Sequence, residues 1–205
     1  SLQDEHDEAT LAIKSAREAI MSLHKKILKE KFSQNLQDWR DTVPQLFAVS
    51  TWVGYDLDGR SDIGWLDSFR LRLSEKKTSL DLYVEKLAPF LESHSEVGRI
   101  IDELSAERRA TEADLVRFTK TEDNGFVDAA NLLTERQDKL LASKAFAERL
   151  RKIAADTQNP EETIELLAIA GDIASNGYGL GELHLRINAV QLANAMGVVD
   201  GKGNF

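Results

Sequence analysis

A mainly α-helical fold follows from three features of this 205-residue sequence. Apolar residues recur at spacings of three and four over most of its length. Asn-Gly and Asn-Pro pairs punctuate those runs as helix stops and starts. Only two short segments break the helical period. The expectation is a set of long antiparallel helices, an α-hairpin or helical bundle, with one or two short strands.

The first helix is read from Asp7 to Lys31. Ile13, Ala16, Ile20, Leu23 and Ile27 form its apolar stripe, and Lys, Glu, Arg and Ser fill most of the other positions. The clearest periodicity comes later. Leu66, Leu73, Leu80 and Leu87 are seven apart, with Phe69, Lys76, Tyr83 and Phe90 as the companion row. That spacing gives one coiled-coil-like stripe, interrupted by Lys76. A polar turn, Glu92-Ser93-His94-Ser95-Glu96, offers Ser95 as an N-cap. A second stripe then runs through Val97, Ile101, Leu104, Arg108, Thr111, Leu115 and Phe118. Two long helices joined by a short turn lie antiparallel, so residues 62–121 are read as a long α-hairpin.

Asn124-Gly125 ends that hairpin. A third long helix carrying Leu132, Leu133, Leu140, Leu141, Leu150 and Ile153 is expected to end near Asp156. The next begins at Asn159-Pro160-Glu161-Glu162, with Asn as N-cap, Pro at the first helical position and acids beside the positive end of the dipole. It should stop at Asn176-Gly177. Leu46–Val53 and Tyr178–Ile187, rich in apolar, β-branched and Gly residues, read as short strands. Two lone strands are stable only if they pair or join others. Residues 200–205 read as a frayed tail.

Composition excludes whole classes of function. Lys+Arg total 26 against 35 Asp+Glu, a net charge of −9, so no basic stripe is available to displace counterions from nucleic acid. The absence of Cys removes disulfides, thiolate zinc sites and a thiol nucleophile. No apolar run reaches the roughly 20 residues needed to span a bilayer. No signal peptide is visible, since Asp4, Glu5, Asp7 and Glu8 crowd the first eight residues. A cytoplasmic protein is the expectation, and the opening Ser in place of Met reads as a piece of a larger chain.

Two places could carry chemistry. The first is Trp52-Val53-Gly54-Tyr55-Asp56-Leu57-Asp58-Gly59-Arg60-Ser61-Asp62. Its closely spaced carboxylates suit a hard cation, but a calcium loop needs an acid where Arg60 stands and a Glu where Asp67 stands. The plainer reading is an Asp-Gly turn with Asp62 capping the next helix. Against it stands the presence of a Trp, two Gly and an Arg in one loop. The second place is His184, Arg186 and Asn188, which would share one face of a strand. His6, His24 and His94 are read as lying on solvated helix faces or in a turn.

The two segments together resemble the phosphoenolpyruvate carboxylase family. Phe47-Ala-Val-Ser50-Thr51-Trp52-Val-Gly54-Tyr-Asp56-Leu-Asp58-Gly59-Arg60 is similar to the family's F-x-S-W-M-G-G-D-R-D-G-N-P. Gly179-Leu180-Gly181-Glu-Leu-His-Leu-Arg186-Ile187-Asn188-Ala189-Val190-Gln191 is similar to its F-G-L-x-L-x-R-L-D-I-R-Q. The resemblance implies a helix-rich enzyme around a larger α/β barrel. Such an enzyme joins phosphoenolpyruvate and bicarbonate, with Mg²⁺, to give oxaloacetate and phosphate. It makes Trp52, Gly54, Asp56, Asp58, Gly59, Arg60, Arg186 and Gln191 candidates for the active centre, with Arg60 and Arg186 facing a phosphoanion and Trp52 on the lid side.

The departures are specific. Leu57 replaces the family's Arg between the two Asp, Arg60-Ser61 its Asn-Pro, and Asn188 its strand Asp. Val190 stands where the family has a substrate-binding Arg, and a valine cannot neutralise a phosphate. The family's T-A-H-P-T and F-H-G-R-G-G segments have no counterpart here. The resemblance thus implies one segment, residues 1–205, of a phosphoenolpyruvate-carboxylase-like parent. That segment would be inactive alone, would hold no Mg²⁺ by itself, and would have the remainder of the parent chain as its partner. The alternative is a non-catalytic helical interaction or oligomerisation module that forms a homodimer through its helical faces.

Overall fold

The computed structural model describes residues 1–35, 38–58, 60, 62–120, 131, 133–135 and 142–199. The protein is mainly helical, with two short parallel strands. Helices α1 (Leu2–Ser33), α2 (Trp65–Leu87), α3 (Ser95–Lys120), α4 (Ser143–Asp156), α5 (Pro160–Asn176) and α6 (Ala189–Val199) carry the fold. Strands β1 (Ser50–Thr51) and β2 (Glu182–Leu183) form the sheet.

Helix α5 is apolar on nearly every side, and it is therefore the central element. Thr163, Ile164 and the whole run from Leu166 to Ile173 are buried. It starts as the sequence predicts: Asn159 Oδ1 accepts from the Glu161 amide at 3.0 Å, and Pro160 opens the helix. It stops at Gly177, whose φ of 64° suits glycine. Around it lie α1, α4 and the α2–α3 pair. Leu80, Tyr83, Leu87, Val97, Ile100, Leu104, Phe146 and Leu150 meet Ile164, Leu167 and Ile173 in one core.

The four leucines of α2 that lie seven apart are all buried. Each buried Leu contributes roughly 2 kcal/mol of apolar transfer. On α3, Val97, Leu104, Thr111 and Phe118 are fully buried. Lys76, the break in the stripe, reaches across to Glu107 of α3. At the far end of the pair Phe69 stacks on Phe118, ring centroids 5.7 Å apart, beside Leu66 and Leu73.

Several local readings change. α1 does not bury its Ile13–Ile27 stripe. The stripe is half-buried, with Leu23 exposed, and Arg17, Met21, His24 and Leu28 face the interior. The reason is α5, which offers Asp172 as a buried partner for Arg17. His6 and His24 are buried, and His94 bonds Glu162 at 2.9 Å, so none of the three lies free on a solvated face. The helix after Asp62 is capped at Gly64, whose amide donates to Asp67 at 3.0 Å, because Asp62 is taken by Arg60. Ser95 is the first residue of α3 rather than its cap. The third long helix is interrupted at Ala142, whose ψ of 140° is extended. Leu132, Leu140 and Leu141 of that helix, the 124–125 stop and the 200–205 tail lie outside the described residues. Among the described residues, no helix is long and apolar enough to cross a membrane.

Candidate functional site

The two segments that break the helical period lie side by side. β1 and β2 pair in parallel, Ser50 opposite Glu182 and Thr51 opposite Leu183. The Glu182 amide donates to Val49 O at 2.8 Å and the His184 amide to Thr51 O at 2.9 Å. Pairing resumes further on, where the Arg186 amide donates to Tyr55 O and Leu57 donates to Arg186 O. From Thr51 to Tyr55 the first segment advances four residues while the second, from His184 to Arg186, advances two. The extra residues arch outward, which raises Trp52 to 63% exposure.

Glycines permit this arch. Gly54 has φ of 83°, and a Cβ there would overlap Leu71. Its carbonyl accepts from Ser68 Oγ at 2.6 Å. On the second segment a Cβ at Gly181 would overlap Val49 O, and one at Gly179 would overlap the Arg72 guanidinium. The Gly-x-Gly of the second segment therefore serves close approach of backbone and side chain, with no phosphate loop in play.

Both segments rest on buried polar clusters. Glu75 of α2 accepts from Tyr55 OH at 3.0 Å, lies 3.1 Å from His6 Nε2, and accepts from Arg72 at 3.1 Å. Arg72 also donates to Gly181 O at 3.3 Å. Burial, with the Glu75 charge adding to it, raises the Tyr55 hydroxyl pKa well above the ordinary phenol value, so Tyr55 stays a neutral donor. A second cluster centres on Arg17, which binds Asp172, Ser79, Tyr83 OH and Gly179 O. Tyr83 OH donates to Gly177 O at 2.7 Å, and Asn176 Oδ1 accepts from the Val49 amide at 3.2 Å. Sequence reasoning missed both clusters. The signal in the sequence was charge at positions in register with buried ones: Arg17 precedes Met21 by four, and Glu75 lies between Leu71 and Ser79.

At the open face, Arg186 donates to Asp56 at 2.9 Å and stands 3.7 Å from Asp58. Its side chain is 61% exposed. Arg60 is held elsewhere, bidentate on Asp62 at 2.9 and 2.6 Å, with Glu5 of α1 at 2.9 Å. Those hydrogen bonds, Asp62's first, raise the Arg60 pKa, and Arg60 in turn lowers that of Asp62. The two arginines thus answer to different carboxylates. His184 is exposed beside Arg186. Asn188 does not continue a strand: its side chain accepts from the Val190 amide at 2.8 Å and caps α6. Val190 is exposed on that helix. Gly59 and the side chain of Gln191 lie outside the described residues.

Mg²⁺, which the resemblance attaches to the parent family, finds no fit at these residues. Asp56 and Asp58 turn toward Arg186, whose guanidinium fills the place a cation would take. Among the described residues, no group of three or more His, Asp or Glu side chains could hold a metal. What this face offers instead is an exposed guanidinium paired with two carboxylates. No family model, curated protein or solved structure matches the chain.

Proposed function

We propose that this chain is a helical segment of a phosphoenolpyruvate-carboxylase-like protein, contributing one wall of an anion-binding centre and inert toward carboxylation by itself. The observation that carries the reading is the parallel pairing of β1 with β2. The two stretches that resemble the family are about 130 residues apart in sequence and neighbours in space, joined by a helical crossover. Parallel strands with helical crossovers are the units of α/β barrels.

Further support comes from what this face leaves uncovered. Trp52, Leu185, Val190, Leu192 and Met196 are exposed around a two-stranded sheet, which is too small to be stable as a free-standing element. Additional strands and helices of a parent would cover them. In that setting Arg186 is the anion-facing group. Asp56 holds it in place when no anion is bound, and Trp52 closes over the ligand to exclude water. Arg60, tied to Asp62 and Glu5, fixes the loop to α1. Val190 supplies no charge where the family has a guanidinium, so anion binding without carboxylation is the activity proposed for this segment.

Calorimetry with phosphoenolpyruvate, bicarbonate and Mg²⁺ tests the reading. Phosphoenolpyruvate should bind weakly, Arg186→Ala should abolish that binding, and no oxaloacetate should form. Turnover by this chain would overturn the inert-segment reading. Equal binding by wild type and Arg186→Ala would overturn the assignment of the anion site.

A further inference from the structure

Arg72 and Glu75 lie three apart on α2 and so share one face of that helix. Glu75 reaches the first strand segment through Tyr55 OH, and Arg72 reaches the second through Gly181 O. The Arg72 guanidinium also lies so close to Gly179 that a Cβ there would overlap it. Arg72 Nη1 donates to Glu75 Oε2 at 3.1 Å, which joins the two halves. One bracket on one helix therefore holds both segments.

The first segment needs such a hold. Its pairing with the second lapses at the arch through Trp52 and resumes only where the Arg186 amide donates to Tyr55 O at 3.0 Å and the Leu57 amide to Arg186 O at 2.9 Å. Extra residues in an arch can be taken up by a shift of register, and a shift of one residue turns every side chain to the other face. Asp56 would then leave Arg186. The Tyr55 hydroxyl opposes that shift, because it would have to come off a buried carboxylate.

Glu75 is 1% exposed, and a carboxylate at that depth is tolerable only with its oxygens occupied by donors. His6 of α1 completes the set. Its ring is buried, and its Nε2 lies 3.1 Å from Oε1, the oxygen that also accepts from Tyr55. A carboxylate paired with an arginine only accepts, so His6 carries a proton on Nε2. Its Nδ1 stands 3.9 Å from Asp7 and has no hydrogen-bond partner among the described residues. We propose that His6 is a positioning residue for the Arg186 face: through Glu75 and Tyr55 it fixes the register at which Asp56 meets Arg186. Its bearing on anion binding rests on the function proposed above, whereas its hold on the register does not.

Amide hydrogen exchange of the full chain, read residue by residue by NMR, tests the proposal. His6→Leu should speed exchange of the Arg186 and Leu57 amides about tenfold, while the buried α5 amides of Leu167 and Ile169 keep their wild-type rates. His6→Gln, whose side-chain amide donates in place of Nε2, should bring the two fast amides back to within about twofold of wild type. Tyr55→Phe should act on the same two amides, and adding His6→Leu to it should change them little further. A long-range ¹H–¹⁵N spectrum of the wild type needs no variant and should show the proton on His6 Nε2. A bare Nε2, unchanged exchange at Arg186 and Leu57 in His6→Leu, equal acceleration at Leu167 and Ile169, or a His6→Gln chain that stays fast would overturn the proposal. Calorimetry with phosphoenolpyruvate on the same chains separates the two readings. The expected exchange pattern in a wild type that binds no phosphoenolpyruvate would overturn the anion site and support the positioning role. A wild type that binds, with His6→Leu binding equally well, would overturn the positioning role and support the anion site.

Discussion

Replacing Arg17 by Ala is expected to cost this protein about 3–5 kcal/mol of stability, the cost of leaving a buried charge unpaired. Arg17 and Asp172 are both fully buried. Arg17 Nε lies 3.2 Å from each Asp172 oxygen, and its Nη2 contacts Asp172 and Tyr83 OH. Nη1 reaches Ser79 Oγ at 3.1 Å and Gly179 O at 3.3 Å. After truncation, Asp172 would keep the Asn176 side-chain amide at 2.9 Å but lose its charged partner. Tyr83 would still donate to Gly177 O, so most of the loss falls on the carboxylate. Against a total of about 5–15 kcal/mol for an ordinary domain, that is about a fifth or more of the whole. The assay is urea unfolding followed by circular dichroism, in a double-mutant cycle with Asp172→Ala. Each single variant should lose the full amount, and the double should lose far less than their sum. An Arg17→Met/Asp172→Leu pair should return close to wild type, since apolar replacements of buried pairs are often neutral or stabilising. Additive single losses, or an Arg17→Ala cost below about 1 kcal/mol, would refute the reasoning.

Other outcomes follow from the same packing. Among the described residues, neither ring nitrogen of His24 has a hydrogen-bond partner, and burial lowers its pKa below the usual histidine value. A depressed histidine leaves stability unaffected above its unfolded pKa of about 6.5 and erodes it as pH falls below that point. The urea midpoint should therefore drop between about pH 6.5 and 5, and His24→Leu should flatten that slope. Gly54→Ala should cost about 1–3 kcal/mol, read as a lowered melting temperature, because φ of 83° and the Leu71 side chain both oppose a Cβ. Arg186→Ala should change stability by less than about 1 kcal/mol, because its pairs with Asp56 and Asp58 are exposed. A large loss there would mean that the pair holds the sheet together.

The elements most legible in the sequence were those fixed by local chemistry. The α5 start at Asn159-Pro160 and its stop at Gly177 depend on caps and on a single φ angle, both short-range. The leucine row of α2 was legible because four leucines of one helix repeat one spacing. α1 misled for a physical reason. Its apolar stripe was genuine, but the choice of which face turns inward fell to Asp172, 155 residues from Arg17. At the candidate site, Trp52, Gly54, Asp56 and Arg186 could be picked out as unusual. That Asp56 pairs with Arg186, and that Arg60 turns away to Asp62 and Glu5, could not. Such partnerships depend on how the chain returns upon itself, and no spacing encodes them.

The sequence by itself determined that this protein is mainly helical, where α3 and α5 begin and end to within a residue, and which two segments depart from the helical period. Those properties follow from caps, glycines and residue periodicity, which act within a few residues. Only the tertiary structure decided that the two departures pair in parallel, that Arg17 and His24 join Met21 and Leu28 on the inner face of α1, and that Glu75 and Arg17 bind the two strand segments through Tyr55 and Gly179. A buried charge is tolerable only where a distant partner meets it, and assembly of the helices around α5 supplies those partners.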